Sequence, residues 1–201
     1  MRKSLSRTIL DFWFRQETRL KKRILLLTGS PSVGKTTVLL KVVEALKTKG
    51  HSVGGMVSRE IRSGDSRVGF EILDLNTGKR GWLAHVNQKS GPQIGRYRVN
   101  LNDLDNIGAA AIANAVEECN VVAIDEIGPM ELFSQRFKEA VLKAVESRKL
   151  VVGVVHLKAR DHLIDNVKAR EDAEVHVITY QNRDNIHEII IAEANASQQQ
   201  A

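Results

Sequence analysis

The sequence contains one cysteine and no long apolar run, and both absences narrow the class of protein. Cys119 stands alone, so no disulfide can form within the chain, which is typical of proteins kept in a reducing cytoplasm. The longest apolar stretches, residues 24–27 and 151–155, fall far short of the ~20 residues that a membrane-spanning helix requires. The basic N-terminus has no apolar core that leads into small residues, so it does not resemble a secretory signal. We therefore predict a soluble cytoplasmic protein with no membrane span.

Positive charge is in excess only at the N-terminal end of the chain. Residues 1–23 hold eight basic and two acidic side chains, which account for the whole net charge of +6. The rest of the chain is neutral, so nucleic-acid binding by the domain is not expected. Apolar side chains of the same segment recur at helical spacing: Leu5, Ile9, Phe12 and Trp13. We predict a basic helical extension over residues 1–22 that packs on its own domain, and binding to nucleic acid or a membrane surface stays open for it.

Beyond residue 23, apolar runs alternate with amphipathic helical patterns. Near-continuous Val, Ile and Leu runs predict buried parallel strands at residues 24–28, 120–124 and 150–155, with a further strand at 174–179. Helical periodicity predicts helices over residues 35–49, from Asn102 or Asp103 to 118, and over 134–147, 161–168 and 182–194. Alternating patterns separated by turn signals predict inserted antiparallel hairpins at residues 52–86. We predict one α/β domain at residues 23–195, with a mainly parallel sheet, helices on both faces and a frayed tail at 196–201.

Residues 29–36 match the phosphate-binding pattern G-x-x-x-x-G-K-[ST] in full, between a buried strand and a helix. Backbone N–H groups must wrap the anionic phosphates, and Gly29 and Gly34 allow the close approach that a side chain would block. The helix that follows the loop directs the positive end of its dipole at the same phosphates. We assign Lys35 as a catalytic residue that reaches the β- and γ-phosphates, and the Thr36 hydroxyl as a Mg²⁺ ligand.

Two carboxylates follow the apolar run at residues 121–124, and each has a predicted role. An aspartate at the end of a buried strand is suited to be the second Mg²⁺ ligand, and we assign this role to Asp125. Successive side chains of a strand point in different directions. Glu126 can therefore face the γ-phosphate, where a carboxylate orients or deprotonates an attacking water. We predict Glu126 as the catalytic base, against the alternative of an acidic loop start that faces solvent.

Several polar residues near the predicted site have two interpretations. His156 follows a buried strand, where it is either a sensor of the γ-phosphate or a histidine hydrogen-bonded within its loop. Extra positive charge favours phosphoryl transfer, and Arg59, Arg62, Lys158 or Arg160 could supply it, although each is more simply a surface residue. Asn182 and Arg183 could flank the base, with a helix cap slightly favoured for Asn182.

The motifs resemble the small nucleoside-triphosphatase family of thermophilic microbes and animals, known in animals as cancer-related nucleoside triphosphatase. The resemblance covers residues 23–193. It is carried by Gly29–Thr36, Gly54–Phe70, Ile124-Asp-Glu-Ile-Gly-Pro-Met-Glu-Leu-Phe133 and Thr179-Tyr-Gln-Asn-Arg183. The chain departs from the pattern of this family in two places. The extension at residues 1–22 lies outside the resemblance. At His156-Leu157, many relatives carry an apolar residue and proline.

The resemblance implies a fold, an activity and a set of contacts. It implies a P-loop domain with a RecA-like or AAA-like core and an extra strand between the loop strand and the Asp-Glu strand. It also implies Mg²⁺-dependent hydrolysis of ATP, GTP and other nucleoside triphosphates to diphosphate and phosphate, with broad base choice. The nucleotide-binding residues expected with it are Gly29, Ser30, Pro31, Ser32, Val33, Gly34, Lys35, Thr36, Thr37, Val121, Val122, Ala123, Ile124, Asp125, Glu126, Ile127 and Gly128.

Two other functions stay open at this point. A P-loop kinase would pass the γ-phosphoryl group to a nucleotide or small metabolite, with residues 157–173 as a basic lid, although Glu126 beside Asp125 favours water as the acceptor. A slow nucleotide-dependent switch would use the basic extension to hold a partner. A monomer is expected in each case.

Overall fold

The computed structural model describes residues 22–198, and a nine-stranded mixed sheet runs through them. In chain order the strands are β1 Ile24–Gly29, β2 Val53–Ser63, β3 Ser66–Asp74, β4 Arg80–His85, β5 Gln93–Ile94, β6 Tyr97–Val99, β7 Val121–Ile127, β8 Leu150–Val155 and β9 Ala173–Ile178. Their order across the sheet is β5-β6-β4-β3-β2-β7-β8-β1-β9. Residues 1–21, which hold nearly all of the predicted helical extension, lie outside the described residues, and so does the end of the predicted tail.

The parallel half of the sheet holds the strands that were predicted from apolar runs. Strands β2, β7, β8, β1 and β9 pair in parallel with their neighbours. Strand β8 lies between β1 and β7, so the extra strand that the resemblance implied is present. Because these strands are parallel, their carboxyl ends meet at one edge of the sheet, where ligands of open α/β sheets bind.

The antiparallel half begins within a strand of the parallel half. The first part of β2, residues 53–56, pairs in parallel with β7, whereas residues 56–63 pair antiparallel with β3. Strands β4, β6 and β5 extend this antiparallel part. The antiparallel pairing predicted for residues 52–86 is therefore confirmed, except that the insertion starts midway along β2 and not before it.

Helices cover both faces of the sheet, as predicted. They are α1 Lys35–Thr48, α2 Ala110–Glu118, α3 Gln135–Glu146, α4 His162–Ala169 and α5 Ile186–Gln198. A helical turn at Leu101–Asp103 and a π-helical segment at Leu104–Ala109 lead directly into α2. Among residues 22–198, no helix is both long and apolar enough to cross a membrane.

Three helix ends differ from the predictions. The side chain of Asn100 caps the segment before α2 by accepting a hydrogen bond from the Asp103 N–H, so the cap precedes both predicted residues, Asn102 and Asp103. Helix α5 begins at Ile186, later than predicted, because the preceding residues form a turn. It also extends to Gln198, past the predicted end, since Ser197 is buried and its hydroxyl donates to the Lys22 carbonyl.

Alternate side chains of β1 enter two separate hydrophobic cores. Ile24 and Leu26 join the core beneath α2, α3 and α4, whereas Leu25 and Leu27 join the core beneath α1 and α5. All four are completely buried. Burial of such a side chain stabilises the fold by ~1.5–3 kcal/mol, so β1 is held firmly from both faces. The loop that follows β1 therefore rests on a rigid strand.

Glycines allow an unusually close approach of β2 to its neighbours. A Cβ atom at Gly55, where φ is +111°, would lie 2.0 Å from the Ala123 carbonyl oxygen of β7. A Cβ atom at Gly54 would lie 2.8 Å from the sulfur of Cys119. Cys119 is only 3% exposed, and burial raises the pKa of its thiol. The beginning of β2 is thereby fixed beside β7.

Candidate nucleotide-binding and catalytic site

The phosphate loop connects the end of β1 to the start of α1, as the sequence predicts. Gly34 precedes the helix with φ +107°, a conformation that favours glycine. Gly29 is required for a different reason, since a Cβ atom there would lie 2.5 Å from the Ile178 carbonyl oxygen of β9. The loop amides and the N-terminus of α1 together form a concave surface that suits phosphate oxygens.

The ammonium group of Lys35 lies between the loop and the acidic pair. Its Nζ atom donates to the carbonyl oxygens of Gly29, at 3.3 Å, and Ser30, at 3.4 Å. It also lies 3.9 Å from Oε2 of Glu126, and the Lys35 side chain is only 10% exposed. A positive charge in this place is positioned to contact phosphate oxygens bound in the loop.

Asp125 is the most deeply buried acid of the site, with 1% of its surface exposed. Burial raises the pKa of its carboxyl to about 7, although the neighbouring Thr36 hydroxyl and Ser58 backbone oppose this shift. Its Oδ2 atom and the hydroxyl of Thr28 are buried and have no hydrogen-bond partner. A buried carboxylate oxygen beside the Thr36 hydroxyl is the kind of oxygen ligand that Mg²⁺ prefers.

The residues present therefore fit a magnesium ion bound mainly by nucleotide and water. No group of three or more His, Cys, Asp or Glu side chains within residues 22–198 forms a ready-made metal site. Mg²⁺ typically uses only one or two protein ligands and completes its octahedral shell with phosphate and water oxygens. Thr36 and Asp125 are the residues that would hold such an ion.

Glu126 lines the same cavity as Asp125 but lies nearer to solvent, with its side chain 24% exposed. Its Oε1 atom is buried without a partner. The ladder between β7 and β8 is irregular between Ile124 and Ile127, so simple alternation does not hold at this end of β7. Both carboxylates line the cavity, at different depths, and the separate roles predicted for them stay predictions.

The cavity above the loop has a volume of about 650 Å³. It is lined by Gly29, Ser30, Pro31, Ser32, Gly34, Lys35, Thr36, Thr37, Ser58, Arg59, Glu60, Arg67, Phe70, Asp125, Glu126, His156, Leu157 and Lys158. It brings together nearly all of the loop residues, both acids and His156. The other expected residues of β7 do not line it: Val121, Val122, Ala123 and Ile124 are buried in the core, and Ile127 and Gly128 lie beyond the acids. Val33 is likewise buried beneath the loop.

The hairpin of β2 and β3 forms the far wall of the cavity. Arg67 on this wall was not predicted from the sequence. Arg67 lies on this wall, where it pairs with Glu60 at 3.0 Å and donates to the Tyr97 hydroxyl at 2.9 Å. This contact with Arg67 is the main cause that lowers the pKa of Glu60. Arg59 also lines the wall but pairs with Glu71 at 2.6 Å. In the sequence, Arg67 stands just after the turn between β2 and β3. This position predicts a place on the cavity wall only when the register of the hairpin is known.

His156 is hydrogen-bonded within its loop, which is one of the two interpretations that the sequence left open. Its Nδ1 atom accepts hydrogen bonds from the backbone N–H groups of Lys158, at 3.2 Å, and Ala159, at 2.9 Å. The ring hydrogen of this tautomer is therefore on Nε2. His156 is also one of the residues that line the cavity. Of the basic residues that follow, Lys158 lines the cavity and Arg160 does not.

Asn182 does not cap α5, which corrects the slightly favoured prediction. Its Oδ1 atom accepts from the Thr179 N–H at 2.8 Å, and its Nδ2 atom donates to the Val177 carbonyl at 2.9 Å. The side chain thus fixes the turn that follows β9. Arg183, the neighbouring residue, lies beside Gly34 of the phosphate loop.

A third carboxyl group, that of Glu131, lies close to the acidic pair, and no separate role was predicted for it. Glu131 is 5% exposed, and burial raises its pKa to about 8. Its burial and the nearby charges of Glu126 and Asp125 both favour the protonated form of this carboxyl. A Cβ atom at Gly128 would lie 3.2 Å from Oε2 of Glu131 and 3.4 Å from Cγ of Glu126, so this glycine leaves room for both acids.

Comparison with known proteins agrees with the motifs and the fold. The nucleoside-triphosphatase THEP1 of Methanosarcina acetivorans is 49% identical over 164 residues, which cover 81% of this chain and 91% of that protein. The crystal structure of THEP1 from Aquifex aeolicus is 30% identical, with a TM-score of 0.75, and the match covers 84% of this chain and 96% of that one. The solution structure of a human cancer-related nucleoside triphosphatase is 33% identical, also with a TM-score of 0.75, over 88% of this chain and 99% of that one.

The family assignment follows from the extent of these matches. A family model described as NTPase matches residues 24–191, which is most of the chain and includes the loop and both acids. The two solved structures confirm the P-loop α/β fold that the sequence predicts. This chain belongs to the NTPase family.

Proposed function

We propose that the protein is a Mg²⁺-dependent nucleoside-triphosphatase that releases phosphate from ATP, GTP and other nucleoside triphosphates. The observation that carries this proposal is the cavity in which Lys35, Asp125 and Glu126 meet above the phosphate loop. The names of the relatives, which are nucleoside-triphosphatases, agree with it. Magnesium is our choice of metal because hydroxyl, carboxylate and phosphate oxygens are its preferred ligands.

The proposed reaction is an in-line attack of water on the γ-phosphorus. Glu126 orients the water and accepts its proton while the new bond between oxygen and phosphorus forms. The bond from the γ-phosphorus to the bridging oxygen breaks, and its electrons stay on the nucleoside diphosphate. Lys35 and the loop amides stabilise the charge on the phosphate oxygens. Mg²⁺, held by Thr36 and Asp125 when bound, would neutralise further negative charge on the β- and γ-phosphates.

Removal of the metal gives the direct test of this proposal. Purified protein is incubated with ATP, GTP, CTP, UTP and the matching diphosphates, and released phosphate is measured with Mg²⁺ and with excess chelator. We expect release from all four triphosphates, none from the diphosphates, and a fall to background with chelator because the charge on the phosphates is no longer neutralised. Phosphate release that persists in chelator would contradict the metal assignment. Labelled γ-phosphate found on an added acceptor, and not as inorganic phosphate, would favour the kinase instead.

We also propose that His156 contacts the γ-phosphate through its Nε2–H group. The contacts of Nδ1 leave Nε2 as the donor, and the ring lines the cavity. Hydrogen bonds to charged groups contribute ~1.5–3 kcal/mol, so His156→Asn should lower kcat/KM by about tenfold to a hundredfold. An asparagine can still accept from the turn N–H groups but is too short to reach the phosphate.

Two controls separate this role from a structural one. His156→Gln places an amide nitrogen near the position of Nε2 and should recover part of the activity. The thermal unfolding midpoint of His156→Asn should match that of the wild type, since the turn keeps its acceptor. An asparagine variant that is fully active would show that the ring only holds its loop.

Other expectations from the sequence stay predictions. They are a cytoplasmic location, a monomeric state and a basic extension that packs on the domain. The switch hypothesis depends on the same extension, so deletion of residues 1–20 tests it: loss of a bound partner with hydrolysis intact would favour a switch.

A further inference from the structure

The sheet order determines on which side of the phosphate loop the nucleoside must lie. On one side of β1, strands β8 and β7 bring His156 and the acidic pair to the loop. On the other side, β9 ends in the turn at residues 179–185. If the proposed hydrolysis is correct, the γ-phosphate faces Glu126. The α-phosphate and the nucleoside then leave the loop toward the β9 side.

The last residue of β9 and the turn after it border the two glycines of the loop. The Ile178 carbonyl oxygen lies 2.5 Å from where a Cβ atom of Gly29 would be, and Cδ of Arg183 lies 3.9 Å from where that of Gly34 would be. Arg183 therefore borders the loop on the side where the nucleoside is expected. Sequence reasoning considered Arg183 beside the base but had no geometry for it.

Arg183 is stacked on an exposed aromatic ring. Its guanidinium carbon lies 5.3 Å from the centroid of the Tyr180 ring. Tyr180 is 62% exposed, although a tyrosine buries much apolar surface when it has a partner to pack on. The two hydrogen bonds of Asn182 within the turn, together with the bond from the Arg183 N–H to the Thr179 carbonyl, fix the backbone beneath both side chains.

We propose that Tyr180 and Arg183 form a stacking shelf for the base of the bound nucleoside triphosphate. A phenol ring and a planar guanidinium both stack on the face of any base, because every base has a π-face. The Asn182 amide is held by hydrogen bonds to Thr179 and Val177, so Tyr180 and Arg183 are the side chains that offer stacking faces. The shelf thus binds purine and pyrimidine nucleotides alike, which is the physical basis of broad base choice.

The test compares ligands with and without a base. Binding of the β,γ-imido analogues of ATP and CTP, and of inorganic tripolyphosphate, is measured by calorimetry on the full chain with Mg²⁺. Base stacking is worth enough that Tyr180→Ala should raise the Kd of both analogues by roughly tenfold. The Kd of tripolyphosphate should not change, because this ligand has no base. Tyr180→Phe keeps the ring and should bind all three ligands like the wild type.

The controls make each outcome decisive. Ile189→Ala removes an apolar side chain that is 57% exposed on α5 and should change no Kd. If Tyr180→Ala weakens the binding of the analogues and of tripolyphosphate equally, the turn only supports the loop. If Tyr180→Ala leaves the binding of the analogues unchanged, the shelf is also ruled out. The binding assay does not depend on turnover, so failure of the proposed hydrolysis is recognised separately, by nucleotide binding without phosphate release from the wild type.

Discussion

Replacement of Glu126 with glutamine is expected to reduce kcat by about 10²–10⁴-fold, the usual contribution of a general base. The amide has nearly the same shape as the carboxylate but cannot accept the proton of the attacking water. Glu126 is placed for this role by its position beside Lys35, at 3.9 Å, and by a buried oxygen that has no hydrogen-bond partner. The measurement is phosphate release from ATP at saturating concentration.

Binding of nucleotide separates this prediction from damage to the fold. Because Glu126 acts on water and not on the phosphates, the Kd of ATP for Glu126→Gln should stay within a few-fold of the wild type. Glu117→Gln is the matched control, since Glu117 is an acid whose side chain is 65% exposed on α2, where it pairs with Lys143. Full phosphate release by Glu126→Gln would rule out Glu126 as the base and leave the acceptor of the proton to be found elsewhere in the cavity.

Replacement of Lys35 with methionine is expected to weaken ATP binding by about 10- to 100-fold, because charge-assisted hydrogen bonds contribute ~1.5–3 kcal/mol. Turnover should fall further, since the same charge stabilises the transition state. Methionine keeps the length of the apolar chain, so its buried methylene groups stay packed. The loss should therefore come from the ammonium group alone.

The helix that carries Lys35 also offers its control. Lys41 is exposed on α1, and Lys41→Met should leave the Kd and kcat unchanged. Calorimetric titration with ATP measures the binding, and phosphate release measures the turnover. Equal affinity of Lys35→Met and the wild type would mean that the loop amides alone hold the phosphates, and the role assigned to Lys35 would be wrong.

The parts of the fold that were predictable follow local chemistry. The runs at β1, β7 and β8 are apolar because helices cover both faces of these strands, so composition alone identifies them. The loop at residues 29–36 and the acids at 125–126 were predictable because phosphate and metal binding restrict the residue types at fixed spacing. The helix predicted from residue 134 begins where expected, because the Ser134 hydroxyl caps α3 by accepting from the Phe137 N–H at 2.9 Å.

The parts that were not predictable depend on pairing between distant segments. Arg67 reaches the cavity only because β3 pairs with β2 in one particular register. Asn182 has the composition of a cap, but the carbonyl of Val177 and the N–H of Thr179 compete successfully for its side chain. The π-helical segment before α2 has no signature in periodicity, which assumes 3.6 residues per turn.

The isolation of Cys119 has a practical consequence for the study of this protein. Its thiol is enclosed by β2 and α2, where it lies against Gly54, and its raised pKa keeps it in the unreactive protonated form. A cysteine introduced at an exposed position would therefore react with a maleimide dye far faster than the native thiol. A fluorophore could be attached at residue 189, which is exposed on α5, without removal of any natural side chain from the core.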